Sequence, residues 1–144
     1  MFIGEYQHAM DEKGRMAIPA KFRKLLEGGV VVTRGLDQSL YLYPMREWEK
    51  LAEKLAQLPI NQANSRAFAR HMLGGAVNAE IDGQGRILVP EYLRKHAGIE
   101  SRAVLVGLYN RIEIWSEEQW TSYREKTEKN TEAIAEQLGE LGSG

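Results

Sequence analysis

The stretch Asp11-Glu12-Lys13-Gly14-Arg15-Met16-Ala17-Ile18-Pro19 returns 71 residues later as Asp82-Gly83-Gln84-Gly85-Arg86-Ile87-Leu88-Val89-Pro90. The first is followed by Phe22-Arg23-Lys24 and the second by Leu93-Arg94-Lys95, so residues 4–24 align with 75–95 without a gap. After one inserted residue the match resumes, with Gly35-Leu36 on Gly107-Leu108, Leu40 and Leu42 on Ile112 and Ile114, and Trp48 on Trp120. A repeat of this length decides the architecture before any single element does. Two copies are too few to stack as a solenoid, so the expectation is a pseudo-symmetric pair sharing one core.

Each copy reads as strand, tight turn, strand, short helix, strand, turn, strand and longer helix, an α+β plan. Pro19 and Pro90 stand where a helix begins, because proline has no amide hydrogen to lose at the first helical position. Phe22, Leu25 and Leu26 give the first short helix an apolar face, leaving Lys21, Arg23 and Lys24 on the other side. The β-branched run Val30-Val31-Val32-Thr33 and the run Ala103-Val104-Leu105-Val106 predict strands, as do the alternating stretches Leu40-Tyr41-Leu42-Tyr43 and Ile112-Glu113-Ile114-Trp115. Trp48, Leu51, Leu55 and Leu58 fall on one helical stripe over residues 45–58, and Pro59 ends it. A second helix within 60–74 joins the copies, a third and more acidic one runs over 117–138, and Gly142-Ser143-Gly144 reads as a flexible end. The chain thus divides into a first module with its following helix (1–58), a linking helix (59–75) and a second module with the C-terminal helix (76–144).

Composition narrows the class. With 43% hydrophobic and 27% charged residues the chain is a soluble globular protein with a packed core, not a disordered one. Having no cysteine, it cannot form a disulfide, a thiolate nucleophile or a cysteine-ligated metal centre, and neither metal nor cofactor is expected. No apolar run approaches the ~20 residues needed to span a bilayer, and Met1-Phe2-Ile3-Gly4-Glu5-Tyr6 has no signal-peptide character, so a cytoplasmic protein without membrane contact is expected. The net charge of -1 speaks against a nucleic-acid partner only until it is divided along the chain. Residues 1–115 carry 16 Lys and Arg against 13 Asp and Glu, whereas 116–144 carry 3 against 7, so the acid is concentrated in the tail.

The turns carry the chemistry. Glycine supplies the positive φ that a tight hairpin demands, here at Gly14 and Gly85. Asp11 and Arg15, like Asp82 and Arg86, can then face one another across the turn, the carboxylate fixing the orientation of the guanidinium. A single such pair would be an ordinary surface ion pair worth ~0–1 kcal/mol. Its recurrence in the same context argues for two arginines held ready for a phosphate or for the N7 and O6 acceptors of guanine, which the guanidinium fork binds bidentately. Lys13 adds a positive charge where the second copy has Gln84, so the first turn is expected to be the stronger binder.

These residues resemble the MraZ family, whose protomer carries two tandem SpoVT/AbrB-like modules of swapped-hairpin type. The resemblance runs over residues 1–138. It rests on the paired Asp-x-x-x-Arg signatures, each followed by Ile-Pro or Val-Pro and then Phe-Arg or Leu-Arg, and on Gly4-Glu5-Tyr6 and Thr33-Arg34-Gly35-Leu36-Asp37. What the resemblance implies is two swapped-hairpin β-barrel modules with flanking helices, pseudo-two-fold symmetric within the chain. It also implies a nucleoid-associated regulator, typically repressing the division and cell-wall gene cluster that contains its own gene. Members assemble into rings, octamers or dodecamers, and read short tandem G-rich repeats in double-stranded DNA. Arg15, Arg86 and Lys13 would be the DNA-contacting residues, with Asp11, Asp82, Gly14 and Gly85 shaping the turns.

Three other readings compete. Catalysis would need Asp11 and Asp82 as acids with His8, His71 or His96 as base, but the histidines do not recur between copies, so no enzyme is expected and no catalytic residue is assigned. A structural or protein-binding ring could use Trp48, Trp115 and Trp120, although aromatics at helical or strand spacing more often fill cores and interfaces. An AbrB-like antitoxin is disfavoured by the duplicated module and the lack of a long disordered tail.

Overall fold

The computed structural model describes residues 1–139, and the residues 142–144 expected to be flexible lie outside them. Eight strands, β1 (Phe2–Ala9), β2 (Arg15–Ala17), β3 (Val30–Arg34), β4 (Leu40–Pro44), β5 (Val77–Ala79), β6 (Arg86–Leu88), β7 (Arg102–Tyr109) and β8 (Ile112–Ser116), alternate with helices. The helices are α1 (Ala20–Arg23), continued by a 3-10 turn over Lys24–Leu26, then α2 (Met45–Ala56), α3 (Ala63–Met72), α4 (Glu91–Ala97), α5 (Glu117–Glu128) and α6 (Thr131–Gln137). Pro19 and Pro90 precede α1 and α4 by one residue, at the N-cap instead of the first helical position, with the extended ψ that starts a helix cleanly.

The copies are interlocked. Six strands form one sheet in the order β1-β7-β8-β4-β3-β5, so β1 of the first copy pairs with β7 of the second, and β5 of the second with β3 of the first. The remaining two strands, β2 and β6, pair with each other. Two self-related pairs mark the pseudo-two-fold axis, Tyr41 opposite Glu113 between β4 and β8, and Met16 opposite Ile87 between β2 and β6. The α+β fold class is therefore present as one interlocked body, in which each copy keeps its second hairpin (β3–β4 and β7–β8) while the strands flanking its Asp-x-x-x-Arg turn pair with the other copy.

Strand alternation selects the core. Val30 and Val32, Leu40 and Leu42, Ala103 and Leu105, and Ile112 and Ile114 all point inward and join Phe2, Met16, Ile18, Phe22, Ile87, Val89 and Leu93 in one cluster. The outward residues Val104, Val106 and Trp115 form a second cluster against Trp120, which puts α5 on the outside of β7 and β8. On the other half, buried Thr33 donates its hydroxyl to the Met72 carbonyl at 2.6 Å, and Arg34 reaches the carbonyls of His71 and Arg70. These bonds tie the end of α3 to β3 and satisfy carbonyls that a helix C-terminus leaves open.

Three local expectations differ from what forms. Arg34 stands opposite Leu40, and Gly107 opposite Ile112, so Gly107 is the equivalent of Arg34 and not of Gly35. The partners of the exchanged strands agree, since Val32 pairs with Val77 and Leu105 with Tyr6. Matching glycines had suggested a register one residue off, which would have turned the inward face outward. Leu25 is 47% exposed because the 3-10 turn rotates it off the buried face that Phe22 and Leu26 share. The acidic C-terminal helix is broken at Lys129-Asn130, where the Asn130 side chain donates to the Lys126 carbonyl and its backbone leaves the helical region.

Candidate nucleic-acid interface

The two turns are built alike, atom for atom. In the first, Asp11 Oδ1 accepts from the amides of Lys13 (3.0 Å) and Arg15 (2.9 Å), and Asp11 Oδ2 accepts from Arg15 Nε at 2.8 Å. In the second, Asp82 Oδ1 accepts from the amides of Gln84 (2.8 Å) and Arg86 (2.9 Å), and Asp82 Oδ2 from Arg86 Nε at 3.1 Å. Gly14 at φ +90 and Gly85 at φ +78 close the turns, each amide bonding back to the aspartate carbonyl. The aspartate is thus more than an ion-pair partner. The Arg15 amide above all holds the Asp11 carboxyl below the ordinary carboxylate range, with the Arg15 side chain adding to it. The Arg86 amide, then that of Gln84, does the same for Asp82.

Pairing of β2 with β6 then joins the two turns into one surface. Met16 and Ile87 point into the core, at 1% and 0% exposure, so Arg15, Ala17, Arg86 and Leu88 occupy the outer face of the ribbon. Arg15 lies opposite Leu88 and Arg86 opposite Ala17, which makes the arginines diagonal neighbours, a relation that sets such residues about 7–8 Å apart. Their side chains are 36% and 29% exposed, neither one enclosed by the barrel. Lys13, at the tip of the first turn, is exposed.

Sequence reasoning placed Arg15, Arg86, Lys13, Asp11, Asp82, Gly14 and Gly85 at the turns, and the structure gathers all seven about the ribbon. It did not single out Arg23 and Arg94. Arg23 Nε donates to the Ile18 carbonyl at 3.0 Å, and Arg94 Nε to the Val89 carbonyl at 2.9 Å, so each lies against the turn of the other copy. The signal was their recurrence at equivalent positions of the repeat. Nor was Leu88 foreseen, an apolar side chain 53% exposed on the ribbon face opposite Arg15.

The histidines lie elsewhere. His71 and His96 approach to 5.5 Å between ring centroids, with His71 Nε2 on the Gly35 carbonyl, and His8 lies on β1. Among the described residues no group of three or more His, Asp or Glu could hold a metal ion, and no helix is long and apolar enough to cross a membrane.

Comparison with known proteins finds the same duplication along the chain. The family described as "MraZ protein, putative antitoxin-like" matches the chain twice, over residues 1–71 and 72–140. A protein of Pediococcus pentosaceus is 50% identical over 142 residues, covering 99% of both chains. One of Halothermothrix orenii is 49% identical over 142 residues with the same coverage, and one of Heliobacterium modesticaldum 50% over 138 residues, 96% of each. All three are named transcriptional regulator MraZ. Matched once by each half and along its whole length by relatives sharing half its residues, the chain belongs to the MraZ family.

Proposed function

We propose that the chain is a DNA-binding transcriptional regulator that lays the β2–β6 ribbon into the major groove, with Arg15 and Arg86 as its base- and phosphate-contacting residues and Lys13 as an added phosphate contact. One observation carries this reading: two aspartate-anchored arginines stand diagonally on the exposed face of a single two-stranded ribbon. A major groove about 12 Å wide admits such a ribbon, and a guanidinium fork suits the N7 and O6 acceptors of guanine. Anchoring by Asp11 and Asp82 removes rotamer freedom before binding, so less entropy is lost on contact. Between the arginines, Ala17 and Leu88 offer apolar contact of the kind a thymine methyl group makes.

With both arginines within about 8 Å, one protomer presents one contact patch, in keeping with one DNA repeat per subunit. A single patch binds weakly. A ring of copies on consecutive repeats at near-helical spacing makes later contacts intramolecular, and assembly thereby becomes part of the mechanism. A cleft of about 650 Å³ bordered by the exposed side chains of Met1, Leu25 and Tyr109 supports self-association. The finer reading, carried by the family resemblance, is a cytoplasmic, nucleoid-associated repressor of the division and cell-wall gene cluster, acting on tandem G-rich repeats upstream of its own gene. The segments 1–58, 59–75 and 76–144 are, on this view, a first module, a linking helix and a second module that do not fold independently, since each half lends a strand to the other.

Binding to a duplex from upstream of the chain's own coding region, followed against salt, tests the site. Arg15→Ala is expected to lose about 10- to 100-fold in affinity, the size of one bidentate contact, with fold and assembly intact. Arg86→Ala is expected to lose less. Undiminished binding by Arg15→Ala overturns the site assignment, and an equal or larger loss for Arg86→Ala reverses the ranking of the turns.

A further inference from the structure

We propose that Arg23 and Arg94 are positioning residues that act across the duplication: Arg23 of the first copy holds the turn that presents Arg86, and Arg94 of the second holds the turn that presents Arg15. This inference rests on the reading of the ribbon as the DNA-contacting face.

A closed relay of backbone and side chain carries it. The Ile18 amide donates to the Gly85 carbonyl at 2.9 Å, the Ile18 carbonyl accepts from Arg23 Nε at 3.0 Å, and the Arg23 guanidinium lies against Gly85 itself. A β-carbon at Gly85 would stand 2.6 Å from Arg23 Nη1. The mirror relay runs from the Val89 amide to the Gly14 carbonyl at 2.8 Å and from Arg94 Nε to the Val89 carbonyl at 2.9 Å. A β-carbon at Gly14 would stand 2.7 Å from Arg94 Nε. Glycine is therefore required at both turns for two reasons, the positive φ and the room its missing side chain leaves for the opposite arginine.

Neither Arg23 nor Arg94 forms an ion pair among the described residues, whereas Arg15 and Arg86 are both tied to carboxylates. Two backbone carbonyls and two glycines are what these unpaired guanidiniums rest on. The planar fork suits that task, because it can donate from Nε while its face covers a peptide. A lysine ammonium keeps the charge but has neither the plane nor the Nε donor. Since each turn is braced by the other copy, disturbing one brace loosens the far arginine and spares the near one.

The test reads that crossing in the intact protein with Arg23→Lys and Arg94→Lys, which conserve charge. The chain has three aspartates, so carbon-13 NMR follows each carboxyl separately as pH is varied. Arg23→Lys is expected to raise the titration midpoint of Asp82 by about 0.5 unit and leave Asp11 where it was, and Arg94→Lys to do the reverse, a shift matching a partly weakened hydrogen bond. On the upstream duplex, Arg23→Lys should cost about tenfold in affinity, comparable to losing the alignment of one charge-assisted bond. Combined with Arg86→Ala it should add little, and combined with Arg15→Ala it should add nearly its full factor, with the opposite pattern for Arg94→Lys. Shifts in both aspartates or in neither, or equal additivity with Arg15→Ala and Arg86→Ala, would overturn the proposal and leave Arg23 an independent phosphate contact or a plain stabiliser. If Arg15→Ala and Arg86→Ala bind DNA as the parent does, the DNA reading fails by itself, and the two aspartate titrations still decide whether the braces exist.

Discussion

Two glycines two residues apart in the second turn should respond to the same substitution with opposite sign. Gly85 has φ +78, and a β-carbon there meets the Arg23 guanidinium, while Gly83 has no positive φ and open space around the position a β-carbon would take. For Gly85→Ala the left-handed backbone costs about 1 kcal/mol. Displacing Arg23 forfeits its bond to the Ile18 carbonyl, about 1 kcal/mol net. Against these stands a gain of about 0.5 kcal/mol from the less flexible unfolded chain, leaving a net loss of about 1.5 kcal/mol. Gly83→Ala receives only the gain, about 0.4–1 kcal/mol. The two variants thus differ by about 2 kcal/mol, which at a urea slope of about 2 kcal/mol per molar separates their midpoints by about 1 M. Urea unfolding at one fixed protein concentration, so that self-association does not move the midpoint, gives the comparison directly. Coincident midpoints, or a Gly83→Ala protein less stable than Gly85→Ala, would refute the account of the turn.

Thr33→Val keeps the shape of a fully buried side chain but strands the Met72 carbonyl, and thermal unfolding should show a loss of about 1–3 kcal/mol. Asp11 and Asp82 titrate below the ordinary carboxylate range when folded, so the stability they contribute is present above that range and disappears as pH falls through their folded midpoints. Asp11→Asn and Asp82→Asn should each flatten that acid limb in a pH series of unfolding midpoints. Leu88→Ala removes an exposed side chain and should leave the unfolding midpoint within about 0.5 kcal/mol of the parent. Competition among duplexes with altered A·T positions should nevertheless show a changed base preference at nearly the same salt dependence.

The repeat made most of the fold legible, because residues 4–24 and 75–95 dictate two of everything, and the Asp-x-x-x-Arg spacing placed both turns correctly. Exchange of the hairpins came from family resemblance alone. Nothing local distinguishes β1 pairing with β3 from β1 pairing with β7, since both partners offer the same inward alternation. That gap hid the rest of the site. Without knowing that β2 pairs with β6, the arginines are two separate turns and not one diagonal pair, and Leu88 is a routine strand residue. Arg23 sits 62 residues before Gly85 in the chain, so only the pairing of β2 with β6 brings them together. The Gly35–Gly107 identity misled the register because a hairpin loop one residue shorter in the second copy moved the glycine into the strand.

Exchange of strands has a consequence for how the chain emerges from the ribosome. β1 is made first, yet its sheet partner, β7, is complete just at Tyr109, when most of the protein has already been synthesised. At about 5–20 residues per second the nascent N-terminus waits several seconds with Phe2 uncovered and both edges free. Such high contact order slows closure, and the interval is one in which the same strand on a neighbouring nascent chain is an equally good match.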